Sequence, residues 1–377
     1  MTVTSSYNYY RNNMYNNENI NIFVGINGSG KSTKLDEIAS KKLYSGGNVI
    51  AIANTIYDKF TIRNNARNYH VFKSSLGKVK SKLIIMDVLT RFEENLDKYY
   101  SHHLVFKYIN YKPIIGFSIE GINTYLVNSM IYNSVIPKED IEEIYYVLKN
   151  YRDKVIFDFS YGLDFEFFKK TNFIKILKYR KMLISYRIIR DIEVFVYKNN
   201  KEFNLDKASS GELSLLASLL FININIDNDT TILIDEPENS LHPKWQIEYV
   251  KQLMDLFHFY TPQFFIATHS PLIVNGAETY FPSTNIHKAS SFNEFEIQHS
   301  DLLNVEQIYE EYFDVITPEN RFVSEYVIKN FNFLVERKIS YFQFSRIINN
   351  FIENSYNQEQ KNALKGILEM AEKYRVL

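Results

Sequence analysis

An α/β fold is predicted for this 377-residue chain by three observations. The stretch from Ile20 to Leu43 reads as strand, glycine-rich loop and helix. The alternation continues through a turn at Ser45 to Asn48 into a second buried strand, Val49 to Ala53. Two later apolar strands, Thr230 to Ile234 and Phe264 to Ala267, run directly into acids and a histidine.

The first loop, Gly25-Ile26-Asn27-Gly28-Ser29-Gly30-Lys31-Ser32, fits GxxxxGK[ST] at every fixed position, between a β-prone run and a helix with few breakers. Its glycines let backbone N–H groups cradle a polyanion at a helix N-terminus. The residues assigned to a triphosphate are Asn27, Gly28, Ser29, Gly30, Lys31, Ser32 and Thr33. Lys31 reaches the β- and γ-phosphates and the Ser32 hydroxyl ligates Mg²⁺. The competing account, a glycine-rich turn that happens to carry Lys-Ser, does not explain the flanking strand and helix.

Tyr69 to Lys73 and Lys82 to Met86 read as further strands. A basic stretch lies between Lys59 and Lys82, with a solvated loop as its plain account. Val88 to Tyr111 has helical spacing, Pro113 to Ile119 reads as a strand, and Ile141 to Tyr151 as a helix with an acidic start. Nothing between Lys82 and Asn200 matches a nucleotide-binding motif, so this is read as a mostly helical insertion. Within it, Lys175, Lys178, Arg180 and Lys181 are interleaved with Phe173 and Tyr179, a pattern suited to a nucleic-acid backbone. An amphipathic helix with a solvated basic face explains them equally. From Asp301 onward the pattern is several amphipathic helices without recognisable chemistry.

The second half of the chain supplies what a phosphate loop needs. Thr230-Thr231-Ile232-Leu233-Ile234-Asp235-Glu236-Pro237 is an apolar strand ending in two acids, Asp235 for Mg²⁺ and Glu236 to orient or deprotonate a water. Upstream, Ser209-Ser210-Gly211-Glu212 opens a helix at Leu213 to Ile222 and offers N–H donors and a hydroxyl to an anion. Downstream, Thr268-His269-Ser270-Pro271 closes a strand on a histidine.

Taken together and in this order, the segments resemble the heads of ABC-type ATPases, in the branch with RecF, SMC-like and OLD-family proteins. The loop matches that branch's phosphate loop and Ser209 to Glu212 its signature. Asp235-Glu236-Pro237-Glu238-x-x-Leu241-His242-Pro243 matches its Walker B and D-loop form, and Thr268 to Pro271 its switch histidine. The resemblance implies a P-loop ABC-type ATPase head in two parts, 1–84 and 201–300, split by the insertion at 85–200 and followed by a helical module at 301–377. It further implies that ATP with Mg²⁺ is held in a head-to-tail homodimer. Ser209, Ser210, Gly211 and Glu212 of one protomer would then face the γ-phosphate held by the other, with Glu236, His269 and Lys31 as the catalytic set. One departure is plain: the family's glutamine loop has no counterpart, since the first glutamine is Gln246, and Asn54 stands at the corresponding strand end.

Composition narrows the function. Without cysteine there is no disulfide, thiolate nucleophile or cysteine-ligated metal. The longest apolar run, Leu213 to Ile222, is about half of what a membrane span needs, and Met1 to Asn19, read as a short strand with a polar turn, lacks a signal-peptide pattern. A cytoplasmic location is expected. A net charge of -1 confines any DNA or RNA contact to local clusters. The insertion is too short for coiled-coil arms, and no Asp-x-Asp pair follows His269, so no intrinsic nuclease is expected. Among compact ATPases of this branch the chain resembles those of bacterial antiphage systems of the Septu, PARIS and retron type, where the ATPase controls a separate effector protein. The alternative is a RecF-like repair or replication ATPase.

Overall fold

The computed structural model describes residues 19–55, 59–61, 67–73, 77–91, 99–127, 136–160, 170–207, 210–239, 241–298, 304–315, 321–355 and 358–375. The strand expected before Asn19 lies outside these residues, as does Ser209. In chain order, β1 (Ile20–Val24) enters the loop and α1 (Lys31–Tyr44), followed by β2 (Val49–Ala53), β3 (Tyr69–Lys73), α2 (Gly77–Thr90) and α3 (Tyr99–Tyr108). The insertion continues with β4 (Lys112–Glu120), α4 (Lys138–Asn150), β5 (Val155–Asp158), α5 (Thr171–Lys178), α6 (Arg180–Ser185), β6 (Asp191–Lys198) and β7 (Lys201–Asn204). Then come α7 (Ser210–Asn225), β8 (Thr231–Asp235), α8 (Pro243–Phe257), β9 (Gln263–Ala267), α9 (Pro271–Tyr280), β10 (Asn285–Ser291) and β11 (Glu294–Gln298). Four helices close the chain: α10 (Val305–Phe313), α11 (Arg321–Val335), α12 (Tyr341–Asn354) and α13 (Gln358–Ala371).

Two expectations change. Lys82 to Met86 is not a strand but the middle of α2, because a short apolar run carries no periodicity that separates a strand from a buried helix. Ile84, Ile85, Met86, Val88 and Leu89 are all buried, and α2 packs on α7. The single helix expected over Val88 to Tyr111 is also replaced: α2 ends at Thr90 and α3 begins at Tyr99.

The chain divides into two compact units interleaved in sequence, one of residues 1–34, 242–251 and 265–377, the other of 35–241 and 252–264. In the first unit the strand order is β11-β10-β1-β9. β1 runs parallel to β10, with Asn21 opposite Asn285 and Val24 opposite Lys288. The end of β9 lies on the other side of β1, where the Thr268 N–H donates to the Phe23 carbonyl. On the opposite side of β1, the Phe23 ring is stacked on His287 of β10 and set edge-on against Phe295 of β11. The last three helices of this unit share their own core of Val323, Val327, Leu334, Phe344, Ile348, Phe351 and Leu364. Asn304 with Gln307 and Ser340 with Gln343 form capping boxes that start α10 and α12.

In the second unit the order β9-β8-β2-β3 places Ala53 opposite Asp235, in parallel register. All five residues of β2 and of β8 are buried, the continuous apolar pattern of a sheet covered on both faces. The insertion is built around an antiparallel sheet in the order β5-β4-β6-β7. Only β4 of its strands was legible. β6 shows why the sheet has one inner face, since Ile192, Val194 and Val196 are buried while their neighbours are not. α4 buries Ile141, Ile144 and Leu148, spaced for one helical stripe. α7 is apolar nearly all round, and Leu213, Leu215, Leu216, Leu219, Leu220 and Ile222 are buried.

Phe344, fully buried in the C-terminal helical core, supplies a test of that packing. Phe344→Ala is expected to destabilise the protein by about 3–5 kcal/mol, read from the urea midpoint of the helical signal. A loss below about 1 kcal/mol would remove Phe344 from the core.

Candidate functional site

The phosphate loop lies in the first unit. Gly28 and Gly30 have φ of +83° and +96°, which a side chain rarely tolerates. At Gly30 space is also decisive, since a Cβ there would sit 2.8 Å from the backbone nitrogen of Asn293. The Gly30 carbonyl accepts from the Lys34 N–H at 2.8 Å and starts α1. The first N–H groups of a helix have no partner within it. α1 has no acid in its first turn and carries Lys41 and Lys42 in its last, so no side-chain carboxylate of its first turn competes for that positive end. Ser29 is buried, and its hydroxyl has no hydrogen-bond partner among the described residues. The donor set thus suits a polyanion.

Lys31 points into the loop. Its ammonium donates to the Gly25 carbonyl at 2.9 Å and the Ile26 carbonyl at 3.2 Å, and lies 2.8 Å from His269 Nε2. An ammonium only donates, so this contact needs Nε2 unprotonated and the ring hydrogen on Nδ1. His269 is rigidly mounted. Thr268, fully buried, accepts from the Ser270 N–H through its hydroxyl at 2.9 Å. The Ser270 hydroxyl caps α9 by accepting from the N–H groups of Leu272 and Ile273, and donates to Gln246 Oε1 at 2.6 Å. Thr-His-Ser-Pro is therefore a strand end, a presented imidazole, a helix cap and a proline at the first helical turn. The expected Ser32 and Thr33 fall in the first turn of α1.

The acids lie in the second unit. Asp235 ends β8 and is 1% exposed. Glu236 follows with φ of +49°, left-handed for a residue with a side chain and directly before Pro237. Both features disfavour that conformation, a local strain of about 1–3 kcal/mol. The Asn54 N–H donates to the Asp235 carbonyl at 3.1 Å, extending the β2–β8 ladder by one bond. Asn239, which the motif reading passed over, donates through Nδ2 to Glu236 Oε2 at 3.0 Å and to the Asn54 carbonyl at 3.2 Å. Asn54 thus reaches the acid through Asn239, and its backbone rather than its amide makes the link. The signal available in the sequence was the i, i+3 spacing of Asn239 from Glu236.

Other expected residues are engaged elsewhere. Glu212, assigned to an anion-binding signature, accepts from Lys198 Nζ at 2.7 Å and from the Tyr111 hydroxyl. Burial would raise its pKa, but these two donors hold the carboxyl below its ordinary range. It is a strut between α7 and the insertion sheet. Ser210 opens α7 and Gly211 follows it in the first turn.

The basic cluster is also redirected. Lys175 pairs with Asp140 at 2.7 Å and Glu143 at 2.8 Å, joining α5 to α4. With the Tyr179 hydroxyl it keeps the Asp140 carboxyl below its usual range. Burial and this hydrogen bond push the Tyr179 phenol up to about 12. Arg180 pairs with Asp87 of α2 at 3.1 Å. Of the four cations read as a nucleic-acid contact, Lys178 and Lys181 are exposed. The others are used in packing the insertion, because a basic stripe beside an acidic helix start finds its counter-charge within the fold.

Residues 129–275 match the family described as AAA domain, putative AbiEii toxin, Type IV TA system. That span holds Gly211, Asp235, Glu236 and His269 but not the phosphate loop. The retron Vc95 probable ATPase of Vibrio cholerae serotype O1 biovar El Tor is 34% identical over 94 residues, 22% of this chain and 18% of that protein. The retron Ec83 probable ATPase of Escherichia coli is 32% identical over 93 residues, 22% of this chain and 17% of that protein. The alignments thus span less than a fifth of the length of either relative.

The ion pairs at Lys175 can be separated from any ligand role. Lys175→Glu places a third acid against Asp140 and Glu143, and a loss of about 1 kcal/mol is expected in urea unfolding. Lys181→Glu, on the exposed side of the same region, leaves the midpoint unchanged. Equal effects of the two would refute the structural role of Lys175.

Proposed function

We propose that this protein is a Mg²⁺-dependent ATPase of the ABC type that works as an ATP-controlled switch over a separate effector in an antiphage system. The observation that carries the nucleotide reading is the phosphate loop with Lys31 drawn inside it against His269. The match to the AAA-domain family and the names of the two retron relatives support ATP hydrolysis and a defence setting.

In this reading the backbone N–H groups from Gly28 to Thr33 and the Lys31 ammonium bind the phosphate chain. To do so Lys31 exchanges the carbonyls of Gly25 and Ile26 for phosphate oxygens, and His269 exchanges Lys31 for the γ-phosphate. The Ser32 hydroxyl and the Asp235 carboxylate would hold Mg²⁺, which supplies charge neutralisation to the phosphates when bound. Glu236 is the general base. It takes a proton from water as the water oxygen bonds to the γ-phosphorus and the β–γ bridging P–O bond breaks, giving ADP and phosphate. Asn239 orients the Glu236 carboxylate.

The switch requires two copies. Ser209 and Gly211 of one protomer would complete the site of the other, so that ATP favours the closed pair and hydrolysis reopens it. Such a cycle shifts an equilibrium only by the differential affinity of ATP for the two states. The effector, an encoded nuclease or toxin, would read that equilibrium.

Glu236→Gln is expected to retain ATP binding while phosphate release falls by about a hundredfold or more. It should also accumulate dimer in ATP, seen by light scattering; unchanged turnover would remove Glu236 as the base. Asn239→Ala is expected to lower kcat by about tenfold with KM unchanged, the cost of losing the hydrogen bond that holds the Glu236 carboxylate. A rise in KM at constant kcat would instead make Asn239 a binding residue.

A further inference from the structure

The two-residue tip of the β10–β11 hairpin carries a feature that neither its fold nor the phosphate motif calls for. Ser291 pairs with Glu294, so Phe292 and Asn293 form the turn. Such turns favour small polar residues and glycine, and Asn293, at φ of +62°, conforms. Phe292 does not. Its ring is 70% exposed, an arrangement that hydrophobicity alone disfavours.

This tip is fixed against the loop. The Asn293 N–H donates to the Ser29 carbonyl at 2.8 Å, and Gly30 is the residue whose missing Cβ makes room for the Asn293 backbone. A cleft of about 360 Å³ runs beside this contact, lined by Gly25 to Ser29 on one side and Lys288 to Phe292 on the other, with Asp314 at its rim. Ile26, 68% exposed, and the buried Tyr312 also border it. Some polar groups near the cleft are committed, while Asn27, Ser29 and Ser290 also line it. Lys288 donates to the Glu311 carbonyl and Asp314, and the Ser291 hydroxyl donates to Glu294. Beside these groups the cleft offers a ligand apolar contact with a flat ring, bordering the loop that would hold phosphates.

We propose that Phe292, with Ile26 opposite, is the stacking platform for the base of the nucleotide whose phosphates lie in the Gly25 to Ser32 loop. The proposal rests on the nucleotide reading above and adds the base subsite to it. Stacking suits any purine, because every base presents a π-face. The hairpin thereby makes nucleotide affinity the sum of two contacts: one backbone-based and blind to the base, one aromatic and blind to the phosphates.

Calorimetric titration of the full chain with ATP, GTP and inorganic tripolyphosphate separates these contacts. Phe292→Ala is expected to weaken ATP and GTP alike by about tenfold or more, the usual effect of losing one base stack. Tripolyphosphate affinity should stay within about twofold of wild type, and Phe292→Trp should restore or tighten both nucleotides. Unchanged ATP affinity in Phe292→Ala overturns the proposal. So does an equal loss for ATP and tripolyphosphate, which would make the tip a support for the loop alone. A wild-type protein that binds tripolyphosphate and ATP equally also overturns it, while one that binds neither overturns the nucleotide reading itself.

Discussion

One buried cation organises the first unit. The Lys31 ammonium has three donors, and two inward carbonyls and one imidazole nitrogen receive them. This arrangement fixes the path of the loop, the tautomer of His269 and the requirement that β9 deliver its histidine at the right height. The height is set by the β9 ladder and by the Ser270 cap, which stops the strand and starts α9 within two residues. Desolvating an ammonium is costly unless its donors are satisfied, so a phosphate chain must match these partners to displace them.

The acid side uses a different device. Asp235 and Glu236 are adjacent, yet their surroundings separate them: the first is buried at the end of a five-residue buried strand, the second turns out through a left-handed backbone ahead of a proline. Strain of that kind persists only where neighbours over-determine the conformation. Here the over-determination comes from the Asn54 to Asp235 backbone bond and from Asn239, which holds the Glu236 carboxylate and the Asn54 carbonyl together. Backbone geometry rather than residue type thus gives the two neighbouring carboxylates different surroundings.

What was legible in the sequence follows from how each feature encodes itself. β1, β2, β3, β8 and β9 are strands because their apolar runs are continuous and bounded, and the loop announces itself through glycines with no alternative. Lys82 to Met86 misled because a helix buried against α7 needs no polar stripe, which erases the period that distinguishes the two states. β6 and β7 escaped because alternation along Asp191 to Lys198 follows directly on a basic helical stretch and reads as its continuation. In the candidate site, the sequence pattern pointed to Lys31 and His269, which the fold brings together, and to Asp235 and Glu236 at the end of β8. Relations between residues were not: that Glu212 is occupied by Lys198, that Lys175 faces two acids, and that Asn239 supports Glu236 depend on elements far apart in sequence or on a turn's geometry.

The Glu212 contact links the insertion to the head. Lys198 ends β6 and Tyr111 immediately precedes β4, so both donors come from the central pair of the insertion sheet. Lys198 also lies 5.0 Å from the Tyr111 ring centroid, which closes the three groups into one cluster. Removing either donor leaves a part-buried carboxylate short of a partner, a larger penalty than the pair contributes when intact. The first turn of α7 is thereby tied to the central strands of the β4–β6 sheet through one part-buried carboxylate.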